Sequence, residues 1–398
     1  MVDNPSGFKI TDTAACWDKV DFNDVFINKD CFQEGGLWLW GWPSGGKLGD
    51  NTNTTKFSPV QTVSGGVNWK QVIIGYNHTA AVKTDGSLWA WGFNNVGQLG
   101  RNNIVNASSP AQTISSGTNW KGVSIGGAHT GAIKSDGTLW VWGLSSNGQI
   151  GDNAIVNRSS PVQTVSGGSS WKKVSLAGSH SAAIKTDGTL WLWGNGNSGR
   201  LGNDSILNRS SPVQTISGGT NWKQVSATGL FSAGIKNDST LWLWGVGVNG
   251  QLGDNRVGLR SSPVQTISEG TNWKQVGTGY DHTAAIKIDG TLWLWGKSNF
   301  GQIGGSNGLQ SVSSPVQTVS GGTNWKQTSV GYAHSAAIKT DGTLWAWGVG
   351  SYGALGNNSS LSQSSPVQTI SGGTSWLSVC MQGGAISTSA IKDGGTIF

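Results

Sequence analysis

All five histidines of the chain, His78, His129, His180, His282 and His334, occupy one position of a recurring unit. Asp85, Asp136, Asp187, Asp289 and Asp341 recur in the same way, each directly before a Gly. A ring of imidazoles raises the question of metal ligation, and a ring of carboxylates that of paired acid–base catalysis. Repeat-equivalent residues, however, sit a whole structural unit apart. Ligands sharing a zinc ion lie about 2 Å from it, and glycosidase carboxylates roughly 5 to 9.5 Å from each other. Phe231 takes the histidine position in one unit and the last unit has no His. The histidines are therefore expected to be hydrogen-bonding ties between neighbouring units, and the aspartates to be turn residues. No nucleophile stands beside a base, and Cys16, Cys31 and Cys380 lack metal-site spacing. The expectation is a non-enzymatic chain with no catalytic residue, metal or cofactor.

The elements that carry these residues follow from the period. Leu37, Leu88, Leu139, Leu190, Leu241, Leu292 and Leu344 open seven units spaced by 51 residues, and by 52 at the last step. Such constancy signals supersecondary units that bury their apolar faces only against one another. Within a unit, Leu88-Trp89-Ala90-Trp91 reads as a short aromatic strand. Asp85-Gly86 between two apolar runs is a hairpin signal, because these residues tolerate positive φ. Trp69 to Gly75 and His78 to Lys83 read as two further strands, and Pro59 to Val63 as a fourth. Proline lacks the donor for a central ladder, so the Ser-Pro strand belongs at the outer edge. Four strands per unit make a propeller blade.

Composition restates the repeat. Of 23 Trp, 14 lie in the Leu-Trp-x-Trp-Gly segments and seven at Trp69, Trp120, Trp171, Trp222, Trp273, Trp325 and Trp376, leaving Trp17 and Trp42. The formal charge is +6, but 13 of the 26 basic residues follow the repeated Trp or precede the Asp-Gly turn, spread evenly around the ring. Evenly spaced charge makes a weaker field than a cluster, so solvated rims are expected and nucleic acid is not. Met1 to Ile10 has no apolar run and no stretch of 18 apolar residues occurs. Neither a secretory leader nor a membrane span is expected. That points to synthesis in a cytosol and leaves the final location open.

Gly75-Tyr76-Asn77-His78-Thr79 through Trp91-Gly92, with Gly97-Gln98-Leu99-Gly100, resembles the regulator of chromosome condensation repeat family over residues 37–398. The resemblance implies an all-β fold: a seven-bladed β-propeller of four-stranded antiparallel blades with the Trp-Lys-x-Val strand innermost. Photoreceptor members carry a Trp-Arg pair just before the repeat histidine. Here those positions hold Tyr76-Asn77, Gly127-Ala128, Ser179, Tyr280-Asp281 and Tyr332-Ala333, so light sensing is not expected. Exchange-factor members need an inserted wedge or loop, and no unit has a long insertion.

The last unit stops at Ile397-Phe398, where the next Leu-Trp would begin. That strand exists at Leu37-Trp38-Leu39-Trp40, so N- and C-terminal strands are expected to share one closing blade. A rival arrangement places a degenerate hairpin, Trp17-Asp18-Lys19-Val20 with Phe26-Ile27, in that blade. Two domains follow: residues 1–36 as a lead and candidate docking segment, and 37–398 as the propeller.

Loops diverge while the framework repeats, and recognition concentrates on loops. Trp42, Phe93, Asn94, Phe300 and Tyr352 are the candidate binding residues, with Arg158, Arg209 and Arg260 as a basic stripe on the outer rim. Two functions remain. In the first, a rigid structural or attachment propeller is displayed on a larger assembly, docked through residues 1–36 and binding a surface ligand at its loops; virion appendages or capsid surfaces are the analogy. The alternative is a soluble protein-binding propeller, inhibitor-like or guanine-nucleotide-exchange-like.

Overall fold

Strand formation within a unit rests on alternation and on one tight turn. In Leu88–Gly92 the buried Leu88 and Ala90 flank the half-buried Trp89. The turn before it is closed by Asp85 Oδ1, which accepts from Ser87 N at 2.8 Å. Gly86 sits there at φ +79°, and a Cβ would collide with the Thr118 carbonyl. The computed structural model describes residues 35–394 except 115–116, 166–167, 217–218, 268–270, 306–308 and 371–372.

Blade 1 comprises Trp69–Ile74, His78–Lys83, Leu88–Gly92 and Ala107–Gln112, running antiparallel from the axis outward. Blades 2 to 6 repeat it over 120–163, 171–214, 222–265, 273–317 and 325–368. The Trp-Lys strand is innermost and the Ser-Pro strand outermost in each, and no α-helix occurs among the described residues.

The closing blade joins the chain ends. Its inner strands are Trp376–Cys380 and Ser387–Asp393, and its outer strands are Gly35–Gly41 and Lys56–Gln61. Seven residue pairs run from Gly35 opposite Asp393 to Gly41 opposite Ser387. Two further bridges, Gly35 to Trp69 and Met381 to Ile74, link the closing blade to blade 1. The C-terminal hairpin thus fills the closing blade, and the rival arrangement gives way to it. Trp17–Val20, Phe26–Ile27, Cys16, Cys31 and residues 1–34 of the lead lie outside the described residues, while its last two residues, Gly35 and Gly36, already belong to the closing strand.

The core lies between blades rather than within one. Val82, Leu88 and Leu99 of blade 1 cluster with Trp120 and Val123 of blade 2. In every blade the inner-strand Trp meets the second Trp of the third strand, with centroids 6.0 to 6.4 Å apart. Such tilted contacts suit the ring quadrupoles and add to burial of about 2 to 3 kcal/mol per side chain. Near the axis, Gln71, Gln224, Gln275 and Gln327 each bond the next blade's inner strand through both amide atoms.

Candidate functional site

Loops joining the first to the second strand and the third to the fourth emerge on one face, called here the upper face. Each long upper loop sends its Gly-Gln-Leu-Gly segment against the next blade. The Gln98 carbonyl accepts from Trp142 Nε1 at 3.0 Å and from Thr130 Oγ1 at 2.7 Å, both of blade 2. Thr130 Oγ1 is also 2.8 Å from His78 Nε2. The hydroxyl has one proton and gives it to the carbonyl, so His78 donates and is the neutral Nε2–H tautomer. The same knot recurs at His129–Ser181, His180–Ser232, His282–Ser335 and His334–Thr388. The histidines therefore tie blades. Burial holds His78, His129 and His282 down at about 3 and His334 at about 4. His180 is lowered in the same direction. Thr130→Val keeps the shape but strands the His78 N–H. We expect it to lower stability by roughly 2 kcal/mol, measured by urea unfolding; an unchanged midpoint would remove the knot's energetic role.

The lysines before the Asp-Gly turn are not simply solvated. Lys83, Lys134, Lys185, Lys236, Lys287 and Lys339 each place Nζ 4.2 to 5.1 Å from two indole centroids. This cation–π sandwich takes the charge expected on the lower rim into the repeat architecture.

The lower face departs from seven-fold equivalence at blade 4, where Ser239 takes the place of the turn glycine, while the tyrosines and most of the aromatic residues outside the repeat pattern lie on the upper face. All four tyrosines of the chain, Tyr76, Tyr280, Tyr332 and Tyr352, lie on its loops, as do Trp42, Phe93 and Phe300. They belong to four adjacent blades: 5, 6, the closing blade and 1. Trp42 contacts Tyr76 and Tyr352 with centroids 5.7 and 6.0 Å apart, and Tyr280 meets Tyr332 at 4.9 Å. Tyr76, Tyr332, Tyr352 and Phe300 are 42 to 49% exposed. Tyr352 holds a left-handed φ of +59°, a conformation costly for a bulky side chain. Gly45 occupies the corresponding turn of the closing blade, at φ +71°.

Beneath this arc Lys47 is fully buried, with no carboxylate partner among the described residues. Its Nζ donates to the Gly75 and Tyr76 carbonyls at 3.2 and 2.8 Å and lies 5.1 Å from the Trp42 ring. Desolvation pushes its pKa down to about 7. Lys47 occupies the position held by Gln98, Gln149, Gln251 and Gln302 in other blades. The axis at this face is crossed by the segment after Met381. Gln382 N bonds the Ile74 carbonyl at 2.8 Å, and Gly383 packs on Thr228 and Gly279.

The other candidates have local duties. Asn94 is buried; its amide donates to the Asn103 and Val105 carbonyls and its Oδ1 accepts from Leu99 N, so it shapes its loop from within. Phe93 is half-buried beside Gly45. Arg158 and Arg260 close on Asp152 and Asp254 at 2.7 and 2.6 Å. These pairs neutralise most of the stripe's charge. Asn203 replaces the aspartate beside Arg209, whose buried Nε has no hydrogen-bond partner among the described residues. Sequence reasoning missed Tyr76, Tyr280, Tyr332 and Lys47. Their signal was departure from the repeat at positions otherwise held by small residues or Gln. Cys380 is buried, and desolvation pushes its thiol up to about 12, far from a reactive thiolate.

The Ultraviolet-B receptor UVR8 of Arabidopsis thaliana is 29% identical over 337 residues, covering 82% of this chain and 76% of that protein. The E3 ubiquitin-protein ligase HERC2 of Homo sapiens is 27% identical over 339 residues, covering 81% of this chain but 7% of that protein. Prp20p of Saccharomyces cerevisiae, studied for its binding to Gsp1p and histones, superposes with a TM-score of 0.83 at 19% identity, covering 95% of both chains. Yeast RCC1 (Prp20) bound to Kap60 gives a TM-score of 0.81 at 18% identity over 100% of this chain and 97% of that one. The structural likenesses show the fold. These relatives lend no support to a virion or capsid role. Regulator of chromosome condensation (RCC1) repeats match at residues 34–82, 85–133, 136–184, 187–235, 238–286, 289–338 and 341–381. Seven matched units, closed as seven blades, place the chain in the RCC1 repeat family.

Proposed function

We propose that this chain is a non-enzymatic, protein-binding propeller that engages its partner through the aromatic arc of the upper face. The observation that carries this is the gathering of Trp42, Tyr76, Tyr280, Tyr332 and Tyr352 on four adjacent blades, amid Gly, Ser and Asn loops. Rigid tyrosine and tryptophan anchors set among small polar residues are the composition of antibody paratopes, because they offer large contact area at low entropic cost. Aromatic anchors also dominate binding energy at protein interfaces. The strained Tyr352 supports the same reading, since backbone strain is retained where a side chain must be presented. Relatives of this fold bind proteins, as Prp20p does Gsp1p and histones. A partner recovered stoichiometrically with the full chain is expected to lose at least about 100-fold in affinity when Trp42, Tyr76 and Tyr352 are changed together to Ala. Undiminished binding by that folded variant would defeat the proposal.

A further inference from the structure

We propose that the upper outer rim of blades 1 to 4 docks on a lipid surface. The tips of their long loops carry the pairs Ile104-Val105, Ile155-Val156 and Ile206-Leu207, followed in blade 4 by Val257 and Leu259. All eight side chains are 55 to 70% exposed. Isolated surface aliphatics need no explanation, whereas a repeated set on one rim does.

The tips are held in equivalent poses. Asn102, Asn153, Asp204 and Asn255 precede them, all at left-handed φ between 53 and 62°. Their amides bond the next blade's outer strand at the Ser159, Ser210, Ser261 and Ser313 carbonyls, at 2.8 to 3.0 Å. Identical anchors at 51-residue intervals put the four tips on one arc at one height. The feature fades around the ring: blades 5 and 6 keep single exposed residues, Leu309 and Leu361, and the closing blade has Asn53-Thr54.

Several separate apolar plugs on a convex rim suit a fluid apolar layer. A protein partner would need a matching hole for each plug, whereas acyl chains accept any spacing. Charge agrees: Arg101, Arg158, Arg209, Arg256 and Arg260 flank the tips against Asp152, Asp204 and Asp254. Arg158 and Arg260 are paired with Asp152 and Asp254, and Arg101, Arg209 and Arg256 against Asp204 leave the arc a net positive charge, as anionic headgroups favour.

The test is co-sedimentation of the full chain with phosphatidylcholine vesicles containing roughly 30% phosphatidylserine. We expect binding that falls at least about ten-fold in the variant Ile155→Ser, Val156→Ser, Ile206→Ser, Leu207→Ser, with its thermal melt unchanged because the sites are exposed. The Trp42, Tyr76 and Tyr352 alanine variant should still sediment, which separates this rim from the partner-binding arc. No sedimentation of the wild type overturns the proposal, as does equal sedimentation of the rim variant. Loss of a dimer in the rim variant, where the wild type ignores vesicles, would assign the tips to self-association instead.

Discussion

Acidification to about pH 5 is expected to unfold this propeller cooperatively, with uptake of close to five protons. The five knot histidines are buried as neutral Nε2–H tautomers, and burial lowers all of them, to about 3 for His78, His129 and His282. In the unfolded chain each regains an ordinary value near 6.5. The unfolded state therefore binds more protons throughout the window from about 6.5 down to the folded values. The histidine contribution to stability is complete above that window and is lost as pH falls through it. At pH 5 each histidine forfeits roughly 1.5 units, or about 2 kcal/mol, and five together about 10 kcal/mol. That is comparable with the whole stability of an ordinary domain. The turn aspartates are stabilised as carboxylates by the neighbouring Ser or Thr, but their contribution is lost only below their unfolded pKa near 3.9, so the two effects separate. Urea unfolding at pH steps from 8 to 5 should show the midpoint falling with a slope that steepens below about 6.5. His129→Phe, the residue blade 4 carries at this position as Phe231, should reduce the proton uptake by about one. A midpoint flat between pH 7 and 5 would show that the histidines are not held neutral.

That behaviour was partly legible in the residues themselves. One repeat position holding every His, with Phe231 substituted once, already favoured a tie over a metal site, and the tie is what His78–Thr130 is. Closure was legible too, because the last unit ends where Leu37 resumes the pattern. Side-chain direction was not legible. Arg158 and Arg260 appeared as a rim stripe because spacing along the chain does not show that each folds back onto an aspartate six residues earlier. Asn94 appeared as a loop contact because turn chemistry in a long loop depends on which atoms face inward. Tyr76, Tyr280 and Tyr332 occupy three separate units, and only the circular order of blades sets the closing blade between blade 6 and blade 1 and so brings these units onto one arc. Periodicity thus located the framework, and departures from it located the face that differs from blade to blade.

The largest such departure sits under the aromatic arc, and Lys47→Gln is expected to stabilise the protein near neutral pH by roughly 2 to 4 kcal/mol. Among the described residues Lys47 has no carboxylate partner and is held by two carbonyls and two aromatic rings. Burial lowers it from 10.5 to about 7. Between those values the unfolded chain keeps the proton that the folded chain releases. Wild-type stability should therefore rise as pH climbs from about 7 to 10, by an amount bounded at roughly 5 kcal/mol for a shift of this size. Other partly buried lysines, Lys274 and Lys326, are lowered by desolvation too, so the difference between wild type and variant isolates Lys47. Glutamine at this position is already accommodated in blades 1, 2, 4 and 5, where Gln98, Gln149, Gln251 and Gln302 cap a loop amide. The gain from Lys47→Gln should shrink toward pH 10, where the wild-type amine is neutral in the fold. A variant less stable than wild type at pH 7, or a gain independent of pH, would mean that the ammonium is well solvated by its carbonyls and rings. If the gain appears together with weaker partner binding, the strained amine is retained for function. Its two carbonyl partners belong to the loop that presents Tyr76, so the same contacts that cost folding energy hold one anchor of the arc in place.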